Sequence, residues 1–230
     1  MVLAAGLGRR MRPLTDHTPK PLLNVGGKPL LQYHLEALAG AGVRDVVINT
    51  AYLGDQIQAF AGHGARWGLT IQYSEETEPL ETGGAIHRAL PLLGDEPFLL
   101  LNGDVYTDFP LASLTQRPLH PDALGRLLLV PNQPFHPEGD FGLTDSGHLT
   151  LQSPRLTFAG ISLLRPGLIA HYPNRRDVFP LLEALLPALQ AGQLEGLSYE
   201  GYWNDVGTPE RLADVERTLT EPPAPTGALP

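Results

Sequence analysis

Short apolar runs alternate with amphipathic stretches along most of the chain. Val2–Ala5, Asp45–Asn49, Leu69–Tyr73, Pro97–Leu101, Arg126–Val130 and Thr157–Leu164 read as strands. Val46-Val47-Ile48 and the wholly apolar run ending at Leu101 have no polar face, as expected for strands covered on both sides. Helical spacing recurs between them. Leu30, Leu31, His34, Leu35 and Leu38 form one stripe after Pro29, a residue favoured at the start of a helix. Leu53–Phe60, Gly84–Leu93, Val178–Ala191 and Thr208–Leu219 complete the helical set. Pro180 is tolerable near a helix start and Pro187 is placed to kink one; Thr208 suits an N-cap, with Pro209 at the first helical position. This order predicts an α/β fold: three layers, with helices on both faces of a mostly parallel, mixed sheet.

The first strand is short, and a few residues before Met1 would complete it. Composition adds bounds rather than detail. The 230 residues are 42% hydrophobic, enough for a sizeable core. One domain is expected over residues 1–220. The proline-rich end, Glu221–Pro230, reads as a disordered tail. The chain contains no cysteine, which excludes disulfides and thiolate zinc sites. Neither a leader pattern nor a membrane-length apolar run appears, so a cytoplasmic protein is expected.

Charge changes the picture more. The chain carries −9, yet residues 1–28 hold Arg9, Arg10, Arg12, Lys20 and Lys28 against Asp16 alone. A concentrated basic patch in an acidic protein points to a small anionic ligand rather than to nucleic acid. The patch surrounds a glycine turn, Leu3-Ala-Ala-Gly-Leu-Gly-Arg-Arg, directly after the first strand. Gly6 and Gly8 let main-chain N–H groups approach an anion closely, and Arg9, Arg10 and Arg12 offer neutralising charge. The spacing is not G-x-G-x-x-G, because Met11 falls where the third glycine belongs, and no Gly-Lys-Ser/Thr follows. A nicotinamide-dependent dehydrogenase is therefore disfavoured. Lys20 lies between Pro19 and Pro21, a stiff segment that presents its ammonium, whereas Lys28 reads as a turn residue.

Two aspartates stand at strand-end positions, where open α/β sheets bind ligands. Asp104 closes Leu101-Asn-Gly-Asp, and Asp205 lies in Tyr202-Trp-Asn-Asp-Val-Gly-Thr. Each alone could be a turn residue. Beside a phosphate pocket they suit Mg²⁺, which takes one or two carboxylates plus substrate phosphates. Glu78–Gly84 precedes a helix, and Thr82 or a glycine there could leave N–H groups free for a ligand. The eight histidines lack metal-ligand spacing and read as surface or core residues; no Gly-x-Ser-x-Gly occurs.

Leu3–Arg10, Pro13–Thr15, Pro19–Pro21, Asn102–Asp104 and Trp203–Thr208 together resemble the sugar-1-phosphate nucleotidyltransferases, or nucleotide-sugar pyrophosphorylases. The likeness covers residues 1–220. It implies the nucleotide-diphospho-sugar transferase type of Rossmann-like sandwich. Carried over by position, it places Ala5, Gly6, Gly8, Arg9, Arg10 and Lys20 around the triphosphate. Glu81 and Gly84 fall near the nucleoside, and Asn102, Asp140 and Gly160 near the acceptor sugar. Mg²⁺ falls on Asp104 and Asp205, and Arg10, Lys20 and Asp104 carry catalysis. Arg9 departs from the Thr or Glu common at its position. Lys20-Pro-Leu-Leu, Gly27–Leu35, Pro79–Gly84, Asn102–Val105 and Gly139-Asp-Phe are most similar to the uridylyl-transferring branch. That implies UTP and a sugar-1-phosphate, with N-acetylmuramate α-1-phosphate as the acceptor. Guanylyl transfer to mannose-1-phosphate and thymidylyl transfer to glucose-1-phosphate stay open, as does a non-catalytic sugar-nucleotide-binding regulator. No β-helix or helical extension follows, so a monomer or weak dimer is expected, with neither nucleic acid nor membrane as partner.

Overall fold

Six of the seven strands in the central sheet run in one direction, and only one runs against them. The computed structural model describes residues 1–220, and the tail at 221–230 lies outside them. From the N-terminus come β1 (Val2–Leu3), β2 (Asn24–Val25), β3 (Lys28–Pro29), α1 (Leu30–Gly40), β4 (Asp45–Thr50) and α2 (Gly54–Ala61). Next are β5 (Thr70–Glu75), α3 (Glu81–Leu93), β6 (Phe98–Asn102), β7 (Val105–Thr107), α4 (Ala112–Thr115) and β8 (Gly125–Val130). The last third holds β9 (Gly142–Leu143), β10 (Leu149–Thr150), β11 (Thr157–Leu164), α5 (Gly167–Ala170) and α6 (Leu181–Gln190). The described chain ends with β12 (Leu194–Ser198), β13 (Trp203–Asp205) and α7 (Pro209–Thr220). The sheet order is β12-β8-β11-β6-β1-β4-β5, with β11 antiparallel to both neighbours.

The apolar strands have two buried faces, as their sequence requires. Along β6, Phe98 and Leu100 join one core while Leu99 and Leu101 join the other. β8 alternates in the same way. Helices α1 and α2 cover the first face through Leu31, Leu35, Leu38 and Ile57. Helices α3, α5 and α6 cover the second through Ile86, Ile169 and Leu185. This is the three-layer arrangement expected from the pattern. A third cluster joins Val215 of α7 to Met11, Val25, Leu30 and Val206, so the last helix packs under the opening loops.

Several boundaries differ for identifiable reasons. β1 ends at Leu3, because the Ala4 N–H turns to Asn49 Oδ1 at 2.7 Å instead of continuing the ladder. α3 starts three residues earlier than expected, at Glu81. α6 starts later, at Leu181, because Phe179 is held extended against the start of α3. β5 runs two residues further, to Glu75. β12 has a weak alternation, Leu-Glu-Gly-Leu-Ser, that does not read as a strand in sequence. No helix among the described residues is long and apolar enough to cross a membrane.

His34, in the α1 stripe, is a core residue with its Nε2 unpartnered. Burial pulls its pKa down to about 4, against weaker opposing effects of Asp104 and the Gly103 backbone. In the unfolded chain it regains an ordinary value, so below pH ~6.5 the unfolded state binds the extra proton. Stability is therefore expected to fall by up to about 3 kcal/mol between pH 6.5 and pH 4, and to change little from this group above pH 6.5. Urea titrations across that range, with an NMR titration of His34, check it.

Candidate active site

The chain leaves β1 for β4 on one side of the sheet and returns to β6 on the other. Such a reversal opens a crevice at the carboxyl ends of the strands. Here it is a cleft of about 260 Å³, whose lining includes Ala5, Gly6, Lys20, Glu81, Asn102 and Asp104. A second hollow of about 240 Å³ adjoins it, lined by Gly8, Arg9, Arg10 and Gly207 and sharing Gly6, Lys20 and Asp104. The two form a continuous groove with a glycine turn on one wall.

That turn is shaped by its two glycines for different reasons. Gly8 has φ +59°, and a Cβ there would stand 2.8 Å from Thr15 Cγ2. Thr15 is buried and donates its hydroxyl to Gly8 O at 2.8 Å, locking the loop. Gly6 is exposed with open space beside it. Among the described residues, the N–H groups of Ala5, Gly6, Leu7 and Gly8 donate to no protein acceptor. Four unpaired amides on one turn leave donors available to an anion, the geometry that the expected role of Gly6 and Gly8 requires. Arg9 and Arg10 follow on a short 3₁₀ turn, both exposed at the groove.

The two aspartates come together through a small ladder. β7 and β13 pair antiparallel, with Asp205 opposite Val105, and the Val206 N–H donates to Asp104 O at 2.7 Å. Gly103 holds this turn against the sheet: its N–H reaches Leu3 O at 2.8 Å, and a Cβ there would stand 2.4 Å from that oxygen. Each carboxylate has its own cation. Lys20 Nζ donates to Asp104 Oδ2 at 2.6 Å, and Arg211 Nη1 pairs with Asp205 Oδ1. Burial holds the Asp205 carboxyl above the usual carboxylate range; Arg211 opposes the shift and Asp104 adds to it. Among the described residues no cluster of three or more His, Cys, Asp or Glu forms a metal cage. Two adjacent hard oxygen donors beside free amides nevertheless fit Mg²⁺, an ion that completes its shell from phosphates and water.

The turn before α3 corrects one expectation. The amides of Gly83 and Gly84 are not free: both donate to Phe179 O, at 2.9 and 3.1 Å. Gly84 is buried behind the cleft wall, where a Cβ would stand 2.0 Å from Asp177 O. It is a spacer that lets α3 meet the 177–179 segment, and it lines neither hollow. Glu81 lines the first cleft, in a left-handed conformation with φ +57° that is uncommon outside glycine. Behind it lies a polar chain that sequence reading missed. Asn49 accepts from Ala4 N and donates to Glu76 Oε1, each at 2.7 Å, and Glu76 Oε2 accepts from Leu80 N at 3.3 Å. Both residues are buried, so they brace the glycine turn against the 76–81 turn. A polar residue closing the apolar Val46–Ile48 run is the available signal.

Asn102 and Gly160, both expected near the acceptor, meet. Gly160 has φ +71° in a bulge of β11, and a Cβ there would stand 2.5 Å from Asn102 Nδ2. Asp140 braces the same bulge: Oδ2 accepts from Phe158 N at 2.7 Å and Oδ1 lies 3.1 Å from His136 Nε2. Neither Asp140 nor Gly160 lines either hollow; Asn102 lines the first. Gly160→Ala is expected to cost more than about 1 kcal/mol through the left-handed backbone alone, and to displace Asn102. A raised acceptor KM with a nearly unchanged nucleotide KM is the expected kinetic signature.

A glycine turn with unpaired amides, two cation-paired carboxylates and an inserted lysine meet at this sheet reversal. The family model for nucleotidyl transferases matches residues 1–153, and the chain belongs to the sugar-1-phosphate nucleotidyltransferases. Among its relatives, the N-acetylmuramate α-1-phosphate uridylyltransferase of Neisseria meningitidis is 43% identical over 94% of this chain and 96% of its own length. A protein of the same name from Caulobacter vibrioides is 32% identical, covering 96% of each chain. A mannose-1-phosphate guanyltransferase from Aspergillus oryzae is 32% identical over 91% of this chain but 61% of its own length. In structure, HddC from Yersinia pseudotuberculosis, solved with GMP-PN, superposes with TM-score 0.79 at 25% identity, covering 95% and 98% of the two chains.

Proposed function

We propose that the protein transfers a uridylyl group from UTP to N-acetylmuramate α-1-phosphate, releasing pyrophosphate, with Mg²⁺ as cofactor, as a cytoplasmic step in reuse of cell-wall sugar. The observation that supports the substrate choice most is the near full-length match to the Neisseria meningitidis relative. The site's chemistry supports the reaction class independently.

In this reading a phosphate oxygen of the sugar-1-phosphate attacks the α-phosphorus, and the bond to the bridging oxygen of pyrophosphate breaks in line. The attacking oxygen is already anionic, so a general base has no task. The difficulty is to bring two polyanions together and to stabilise charge on the leaving group. The amides of Ala5, Gly6 and Gly8 bind the triphosphate, with Arg9 and Arg10 at its pyrophosphate end. Lys20 neutralises the reacting phosphates from between its prolines. Asp104 and Asp205 would hold Mg²⁺, which supplies Lewis-acid charge at the phosphoryl oxygens. Asn102 orients the acceptor, with Gly160 giving it room and Asp140 bracing the bulge behind. The non-catalytic alternative is disfavoured because Lys20, Asp104 and Asp205 are all present and adjacent.

A matrix of nucleoside triphosphates against sugar-1-phosphates, scored by pyrophosphate release, tests the assignment. UTP with N-acetylmuramate α-1-phosphate is expected to give the highest kcat/KM. A preference for GTP with mannose-1-phosphate would move the protein to the guanylyl-transferring branch and leave the reaction class standing.

A further inference from the structure

Arg211 belongs to none of the motifs that mark the site, yet it pairs with Asp205, one of its two aspartates. It is the third residue of α7, where its own N–H is 3.4 Å from the hydroxyl of Thr208, the expected capping residue. Its guanidinium pairs with Asp205 through Nη1 and lies 4.1 Å from the centroid of the Phe135 ring. Phe135 is exposed on the loop that also carries His136, the neighbour of Asp140. The arginine side chain is only 13% exposed, bracketed between a carboxylate and an aromatic face.

Its other nitrogen lies against Gly207, a wall residue of the second hollow. A Cβ on Gly207 would stand 2.4 Å from Arg211 Nη2 and 3.4 Å from Arg10 Nη2. Two guanidiniums therefore converge over Gly207, a residue of the cradle wall. Like charges this close repel unless an anion lies between them. Around the second hollow, Arg9, Arg10, Lys20 and Arg211 stand with Asp104 and Asp205, two more cations than carboxylates, while Glu76 and Glu81 line the adjoining cleft. A magnesium-bound nucleoside triphosphate carries an excess of about two negative charges.

We propose that Arg211 is a phosphate-binding residue of the cradle, gripping the pyrophosphate end of the triphosphate together with Arg10. Before the nucleotide binds, its guanidinium rests on Asp205 and competes with the metal for that carboxylate. The assignment rests on the reading of the groove as a nucleotide site, and it adds to that reading a residue from the opposite end of the chain.

Arg211→Ala, Arg211→Gln and Arg10→Ala separate the possibilities. Binding of UTP and of pyrophosphate is measured by calorimetry with Mg²⁺, and binding of Mn²⁺ alone by electron paramagnetic resonance. Both Arg211 variants are expected to bind UTP and pyrophosphate about 10–100-fold more weakly, the loss of a charge-assisted pair. The same variants are expected to bind Mn²⁺ more tightly, because Asp205 loses its competitor. Arg10→Ala should weaken the nucleotide and leave Mn²⁺ affinity unchanged. Unchanged UTP affinity in a folded Arg211 variant overturns the proposal. So does a parallel loss of UTP and Mn²⁺ affinity, which marks a structural role. If Arg211→Ala fails to fold, Arg211→Gln, which keeps most of the stem, decides between these outcomes. Wild-type protein that binds neither UTP nor pyrophosphate would instead bring down the reading of the groove itself.

Discussion

Asp104→Asn is expected to lower turnover about a thousandfold while the protein stays folded. The substitution keeps the shape and an oxygen for Lys20 Nζ, now 2.6 Å away, so the local packing survives. What disappears is the charge proposed to hold the metal on the β6–β7 turn. Metal stabilisation of phosphoryl charge is worth several kcal/mol, and each ~1.4 kcal/mol is a factor of ten in rate. The turn is held by main-chain contacts, through Gly103 to Leu3 and Val206 to Asp104 O, which the substitution leaves alone. Thermal melting should therefore be near normal, and kcat and Mg²⁺ affinity should fall together. Asp205→Asn is expected to behave similarly. Near-normal turnover in both variants would take the metal off these two carboxylates.

Lys20→Ala is expected to cost about 10²–10³ in kcat, the scale for removing one preorganised group that stabilises transition-state charge. The side chain is mostly buried at the junction of the two hollows, the position where the nucleotide and acceptor phosphates would meet. Pro19 and the 3₁₀ turn Lys20–Leu22 fix the backbone under it, so the ammonium is aimed without loop ordering. Lys20→Arg should recover little, because a planar fork cannot occupy the point position of an ammonium bonded to Asp104. The diagnostic result is a kcat loss much larger than any change in KM for UTP. An equal loss in binding would make Lys20 a docking residue.

Whatever depends on local pattern is legible in the sequence. The two-faced apolar strands, the α1 stripe and the glycine turn announce themselves in consecutive residues. Asp104 and Asp205 are readable as candidates because each follows an apolar strand, although their adjacency comes from the β7–β13 ladder, which spans about a hundred residues of chain. The start of α3 misleads because its glycines look like an open helix end. Their amides are taken by Phe179, a partner almost a hundred positions away. Asn49, Glu76 and Arg211 escape notice for the same reason. Asn49 is marked only as a polar residue closing an apolar run, and each of these acts through a contact that only the folded chain creates.

Two substrates are to meet in one groove, with Asp104 and Lys20 between them. Pyrophosphate release from UTP and N-acetylmuramate α-1-phosphate in the presence of Mg²⁺, measured on wild type beside Asp104→Asn and Lys20→Ala, tests this most directly. Wild type is expected to release pyrophosphate rapidly and only when both the acceptor and the metal are present, and each variant to lose at least about a hundredfold. Release that ignores the acceptor, or that survives both substitutions, would contradict it.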